Sequence, residues 1–271
     1  MHACSTSRWG LIPRLLCHAD GTTTDLSGVH GLLNLGRGWA VDYGTPFAAP
    51  LVSSMAAVLV DHYESPSANW VKALLLHFTK PALAPPIAVP QEHLIGRGEP
   101  DLEGAMWATP HSATFICSGE LSPSRFTYVP FHVPPCLAAG GESRLKIRVT
   151  VVIDPSVAAD NPLEYCQARL TLALRKPAEV GYSRVSGLEL GPEPGKWSPV
   201  EYLEKTFSHS YSPGRWELQV RLWTRNLPDT YVQSFAAVIQ VLDENGVAPV
   251  LAEVDTTAGR EFRHAIVHAA A

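Results

Sequence analysis

The spacing of apolar residues along this chain changes character near residue 110. From Pro46 to about Tyr63 apolar side chains fill almost every position. That pattern predicts a helix buried on all sides, as at the centre of an α/β layer. Thr45 is placed as its N-cap and Pro46 at the first helical position, where a missing N–H costs nothing. Asp61, His62, Tyr63 and Glu64 mark its wet end. A second helix is expected to open on Ser65-Pro66 by the same logic. It aligns Trp70, Val71, Leu74, Leu75 and Phe78 on one face and ends near Lys80-Pro81.

Past residue 110 the period becomes 2. Leu145, Ile147, Val149 and Val151 alternate with Arg144, Lys146, Arg148 and Thr150. The same alternation runs through 168–175, 218–223 and 235–242. It predicts strands with one face buried and the other mostly solvated, as in antiparallel sheets. With 113–118, 126–133 and 249–254 the total is seven or eight strands, which suggests a two-sheet, jelly-roll-like sandwich. Asp243-Glu244-Asn245-Gly246 reads as a turn, and 176–200 as a loop crossing between sheets. Residues 81–100 carry five prolines and read as an irregular connector. Before residue 40 the chain is largely patternless, with a short strand expected at Trp39-Ala40-Val41. The expected organisation is an N-terminal segment with two helices over 1–85, a connector over 86–109, a β-sandwich over 110–255 and a tail over 256–271, hence class α+β.

Composition narrows the function classes. With 271 residues, 46% apolar and 17% charged, the chain can fill a sizeable core and does not read as disordered. A net charge of −5 and the lack of a basic run argue against nucleic acid. No stretch approaches the ~18 apolar residues of a membrane span. Cys4, Cys17, Cys117, Cys136 and Cys166 are odd in number and widely spaced, with no C-x-x-C. That pattern argues against a disulfide framework or zinc site and favours reduced thiols in the cytoplasm. The short apolar run after Arg8 is broken by Pro13, Arg14 and His18, a poor match to a signal peptide. No cofactor or metal is expected.

The block Gly44-Thr45-Pro46-Phe47-Ala48-Ala49-Pro50 resembles the nucleophile block of subtilisin-like serine peptidases, Gly-Thr-Ser-x-Ala-x-Pro, with Pro46 at the serine position. Pro50 matches the family proline four residues on. The two expected helices stand in the family's order. The segment from Gly96 to Leu121, GRGEPDLEGAMWATPHSATFICSGEL, is similar to one that joins certain bacterial members to an appended C-terminal β-domain. FTYVPFHVPPCL, RLKIRVTVVIDP and KWSPVEYLEKTF are similar to that β-domain, so the likeness spans about 30–255. It implies that the N-terminal helices are a remnant of a subtilisin-like α/β domain. The same block also reads, without any ancestry, as a capped and proline-started helix.

The chemistry of that family is not supported by this sequence. Its triad order is Asp, His, Ser, and only 43 residues precede the block. His30-Gly31 and Asp20-Gly21 are superficial echoes of the missing motifs. Acyl transfer needs a nucleophilic oxygen, a base and oxyanion donors. Proline removes both the oxygen and a backbone N–H. In subtilisin, loss of the nucleophile alone costs about 10⁶-fold in kcat, and loss of an oxyanion donor costs about 10²–10³-fold. No catalytic residue is therefore assigned, and Gly44, Thr45, Pro46, Ala48 and Pro50 stand as a degenerate nucleophile block.

Other candidates have simpler readings. His264 and His268 have metal-compatible helical spacing but no third ligand. His62 and His77 suit helix C-termini. Asp154, Asp160 and Glu164 lack a calcium-loop spacing. Trp197, Trp216 and Trp223 could line a ligand face or pack a sandwich core. Gly36-Arg37-Gly38 is too short for a phosphate loop. Three functions stay open: a truncated subtilase without proteolytic activity of its own, a β-sandwich module that docks a substrate or partner, and a non-functional fragment of a serine endopeptidase gene. The partner expected is a protein or an upstream subtilase segment, not nucleic acid or membrane.

Overall fold

A computed structural model describes residues 29–32, 39–42, 45–64, 66–80, 98–138, 142–161, 164–186, 197–207 and 211–258, with side chains from Ala48 onward. Two compact units divide the chain. One draws on 1–58 and 79–100, the other on 59–78 and 101–271.

In the first unit, β1 (Val29–Leu32) and β2 (Trp39–Asp42) form an antiparallel pair with Val29 opposite Asp42. Helix α1 spans Thr45–His62, close to its expected limits. The two-residue strands β3 (Thr79–Lys80) and β4 (Glu99–Pro100) pair antiparallel on either side of the proline-rich stretch. The expectation that α1 is buried on all sides is not met. Leu51, Val52, Val58 and Val60 are 37–40% exposed, whereas Leu59 is fully buried. A helix apolar all round needs a layer on each face. Every strand pair among the described residues is antiparallel, so the parallel sheet that would flank such a helix is not among them.

The second unit holds eight longer strands: β5 (Ser112–Leu121), β6 (Phe126–Val133), β7 (Leu145–Ile153), β8 (Ala168–Pro177), β9 (Tyr182–Arg184), β10 (Val200–Thr206), β11 (Gly214–Thr224) and β12 (Gln233–Asp243). They form two four-stranded antiparallel sheets, ordered β10-β7-β12-β5 and β6-β11-β8-β9. The pairs β5–β12, β6–β11, β7–β10 and β8–β9 nest inside one another. The unit is thus one long hairpin, rolled so that successive pairs alternate between sheets, which is jelly-roll winding. Inward-facing residues meet in register: Ile239 lies opposite Phe115 on one side and Val149 on the other. Trp216, Phe131, Leu174, Leu218 and Ile239 are wholly buried between the sheets. Each such side chain contributes roughly 1.5–3 kcal/mol relative to exposure.

Alternation in the sequence located six of these strands. It missed β9, which lies within the 176–200 stretch expected to be a loop, and β10, which begins at the end of that stretch. Ahead of β5 stands a short helix, α3 (Leu102–Met106), and where a strand was expected at 249–254 the chain forms helix α4 (Val250–Ala258). Val250, Leu251 and Val254 are buried there, a helical spacing that a count of β-branched residues overlooks.

A third layer covers one outer face. Thr114, Ile116, Thr150, Val152, Ala236 and Val238 point away from the inter-sheet core; the alternation puts Thr150, Ala236 and Val238 on a mostly solvated face, yet all six are buried. Helix α2 (Ala68–His77) lies over β7 and β12 and buries Val71, Ala73, Leu74 and His77 against this face. His77 Nδ1 is 3.0 Å from Thr150 Oγ1. The second helix therefore packs with the sandwich, and the expected solvated face of this sheet is a helix-covered one. Its cap is Ser67, whose Oγ accepts from the Trp70 N–H at 3.3 Å, so the helix is capped after, not at, the expected Ser65-Pro66 start. Ser65 lies outside the described residues.

Candidate functional site

Of the degenerate nucleophile block, Gly44 lies outside the described residues, as do the side chains of Thr45 and Pro46, so the expected capping role of Thr45 is not visible. Their backbone forms the first turn of α1. Ala48 and Pro50 are exposed on that helix, and Pro50 lacks the N–H that would reach the carbonyl of Pro46. Among the described residues no group of three or more His, Cys, Asp or Glu is placed to hold a metal ion. His264, His268, Gly36-Arg37-Gly38, Cys4 and Cys17 lie outside the described residues.

The Cys117 and Cys136 thiols are not activated nucleophiles. Burial pushes Cys117 up to about 12. Burial, reinforced by the neighbouring Glu253 carboxylate, does the same for Cys136. The Cys136 backbone N–H donates to Glu253 Oε2 at 2.8 Å, tying the short 3-10 turn Pro135–Leu137 to α4. Cys166 donates to the Ala168 carbonyl at 3.1 Å. Thiols held neutral are poor nucleophiles.

The distinctive surface is the outer face of the β6-β11-β8-β9 sheet. Sheet pleating brings the polar positions of β8 and β11 together, with Trp223 opposite Arg169 and Arg221 opposite both Phe126 and Thr171. The result is an alternating row of rings and guanidiniums. The Arg221 guanidinium carbon sits 5.3 Å from the Phe126 ring centre and 3.7 Å from that of Trp223. Beyond Trp223 comes Arg169, 4.8 Å from the ring of Trp197, and then Arg225, 4.2 Å from the same ring. The Trp223 indole N–H donates to Thr171 Oγ1 at 3.1 Å, and Arg225 Nε donates to the Cys166 carbonyl at 3.0 Å, which fixes the middle of the row and one end.

A second row behaves differently. Arg175 lies 4.8 Å from the ring centre of Tyr128 and 5.3 Å from that of Tyr182, but it also pairs with Glu217 at 2.9 Å. The other sheet balances its cations in the same way. Lys146 and Arg148 pair with Glu204, and Arg144 and Lys146 with Glu244. Among the described residues, the row from Phe126 to Arg225 has no such carboxylate. Glu164, nearby in sequence, accepts from Asn161 and Asn226 instead. Arg169 Nε and Nη1 are buried with no hydrogen-bond partner. A ring face attracts a cation, by ~0.5–1 kcal/mol at an exposed site, without cancelling its charge.

Of the three tryptophans singled out in the sequence, Trp223 and Trp197 stand in this row, and Trp216 is core, with its Nε1 donating to the Ser212 carbonyl at 2.8 Å. The arginines were legible only as the polar half of the alternation in β8 and β11. The signal that could have marked them is arginine and aromatic residues sharing that polar half, as in Arg221, Trp223 and Arg225.

No family model matches the chain. No curated protein matches it either. Among solved structures it is similar to PliG of Salmonella Typhimurium, a periplasmic inhibitor of g-type lysozyme, at 13% identity over 47% of this chain and 90% of that one, with a TM-score of 0.23. It is also similar to the infectious bursal disease virus VP2 subviral particle, at 9% identity over 52% of this chain and 34% of that one, TM-score 0.30. A third is dimeric latent PorU of Porphyromonas gingivalis, at 10% identity over 49% and 13%, TM-score 0.23. The chain thus spans about a third of the viral protein's length. Likenesses of this size establish neither family nor function.

Proposed function

We propose that this chain is a non-proteolytic binding module of subtilisin-like lineage, in which the β-sandwich docks a partner. The observation that carries the binding reading is the row Phe126–Arg221–Trp223–Arg169–Trp197–Arg225, where guanidiniums are held against rings with no carboxylate paired to them among the described residues. Side chains ordered before binding lose less freedom when a partner arrives. The lineage rests on the Gly44–Pro50 block and the helix that follows it, and the loss of activity on Pro46. Exposed Leu51, Val52, Val58 and Val60 favour a second reading, in which a subtilase-like segment of a partner covers α1.

A fluorophosphonate probe tests the loss of activity. The purified chain is expected to stay unlabelled and to leave casein intact, beside an active subtilase as control. Covalent labelling of this chain would overturn the non-proteolytic reading.

A further inference from the structure

We propose that the arginine–aromatic row is a docking site for an acidic polypeptide segment, one carrying aspartate or glutamate at alternate positions of an extended strand. This rests on the binding-module reading and names the chemistry of its partner.

The argument starts from what each row does with its charge. Where this protein uses cations structurally, it matches them with carboxylates: Arg175 with Glu217, Lys146 and Arg148 with Glu204, and Arg144 with Glu244. Arg221, Arg169 and Arg225 are held by rings instead. A guanidinium stacked on a ring keeps its edge donors in one plane, the fork that fits a carboxylate in a bidentate manner.

Nucleic acid would offer phosphates to the same forks, but its other gain is stacking of bases on open ring faces. Here guanidiniums already occupy faces of Trp223 and Trp197. The chain as a whole is net negative, which opposes a dense polyanion more than a sparse one. Side chains on one face of an extended strand recur every ~6.6 Å, so an alternating acidic strand presents one carboxylate after another along such a row.

The test uses the full chain, a fluorescein-labelled peptide of alternating Glu and Ser, a matching Lys-Ser peptide and a labelled oligothymidylate, read by fluorescence anisotropy. The acidic peptide is expected to bind saturably, to weaken as salt rises, and to outcompete oligothymidylate. Arg221→Gln and Arg225→Gln should each weaken it about tenfold, whereas Arg175→Gln in the ion-paired row should stay within about twofold. Arg221→Lys keeps the charge but loses the planar fork, and should fall between wild type and Arg221→Gln. Thermal melting shows which variants remain folded, and Arg221→Lys carries the test if Arg221→Gln does not. Absence of saturable peptide binding, or binding indifferent to both Arg221 and Arg225, would overturn the proposal. Oligothymidylate binding through this row in preference to the peptide would overturn the acidic-polypeptide assignment and leave the binding-module reading standing. If neither ligand binds, the docking role of the row falls too, while the loss of proteolysis is judged separately by the fluorophosphonate result.

Discussion

Asp243 ends β12, and its carboxylate gathers four backbone donors. Oδ1 accepts from the N–H groups of Arg144 at 2.7 Å and Asn245 at 3.2 Å, and Oδ2 from those of Val247 and Ala248 at 2.8 Å each. Burial alone would raise this carboxyl, but the four donors outweigh it and hold it below the ordinary carboxylate range. Glu204 is also lowered: burial opposes ionisation, and Lys146, Tyr202 and Arg148 outweigh it. A carboxyl whose folded pKa is depressed adds stability above its unfolded pKa, ~4, and loses it as pH falls through the folded value. Urea midpoints are therefore expected to drop between neutral pH and pH ~3. Asp243→Asn should lower the neutral midpoint by the equivalent of ~1.5–3 kcal/mol and flatten the acid limb. An unchanged acid limb in this variant would assign the pH dependence elsewhere. Gly246, at φ 68°, lets the same turn close. The turn itself was legible in Asp243-Glu244-Asn245-Gly246. The link from Asp243 to Arg144, 99 residues away, was not, because local sequence carries no signal for a bond between distant segments.

At the scale of elements, α2 shows how a correct local reading can hide a partner. Its apolar face was plain from Val71 and Leu74, but the surface it covers was not. In a plain two-sheet sandwich Thr150 and its neighbours would face water, and alternation in β7 supports that reading. Their burial comes from α2, which lies far from β7 in sequence. Leu74 is wholly buried beneath this helix, and Leu74→Ala is expected to cost about 2–5 kcal/mol in chemical denaturation. Ser67→Ala, removing the cap, should cost ~1 kcal/mol. Equal small effects from both would mean that α2 adds little to the unit. The misread 249–254 has the same origin as Thr150. Val250, Leu251 and Val254 are apolar enough for a strand, and only their packing among Ala113-side and Phe131-side core residues distinguishes the helical spacing. The arginine–aromatic row was half legible: β8 and β11 were placed with their polar faces, while Trp197 joins the row from outside any strand.

For the whole molecule, the compact units do not divide at the proline-rich stretch, since 59–78 groups with 101–271. A fragment beginning at residue 101 lacks α2 and bares Ile116, Val152 and Val238 on one sheet. It is expected to bind a hydrophobic dye and to aggregate, whereas a fragment spanning 59–258 should unfold cooperatively. Light scattering and calorimetry compare the two, and a well-behaved 101–258 fragment would show that the helix layer is dispensable. The nested pairing has a further outcome during synthesis. β12 lies between β5 and β7 in its sheet, so β5, the first of the sandwich strands to be made, has no neighbour there until the last of them has left the ribosome. Pairings between strands far apart in sequence form slowly. The nascent polypeptide must therefore hold Phe115 and Ile116 unpaired while everything from β6 to β12 is made. Protease resistance on stalled ribosomes should arise in one step, only after Asp243 has emerged, which makes this stretch of chain a client for chaperones that shield exposed strands.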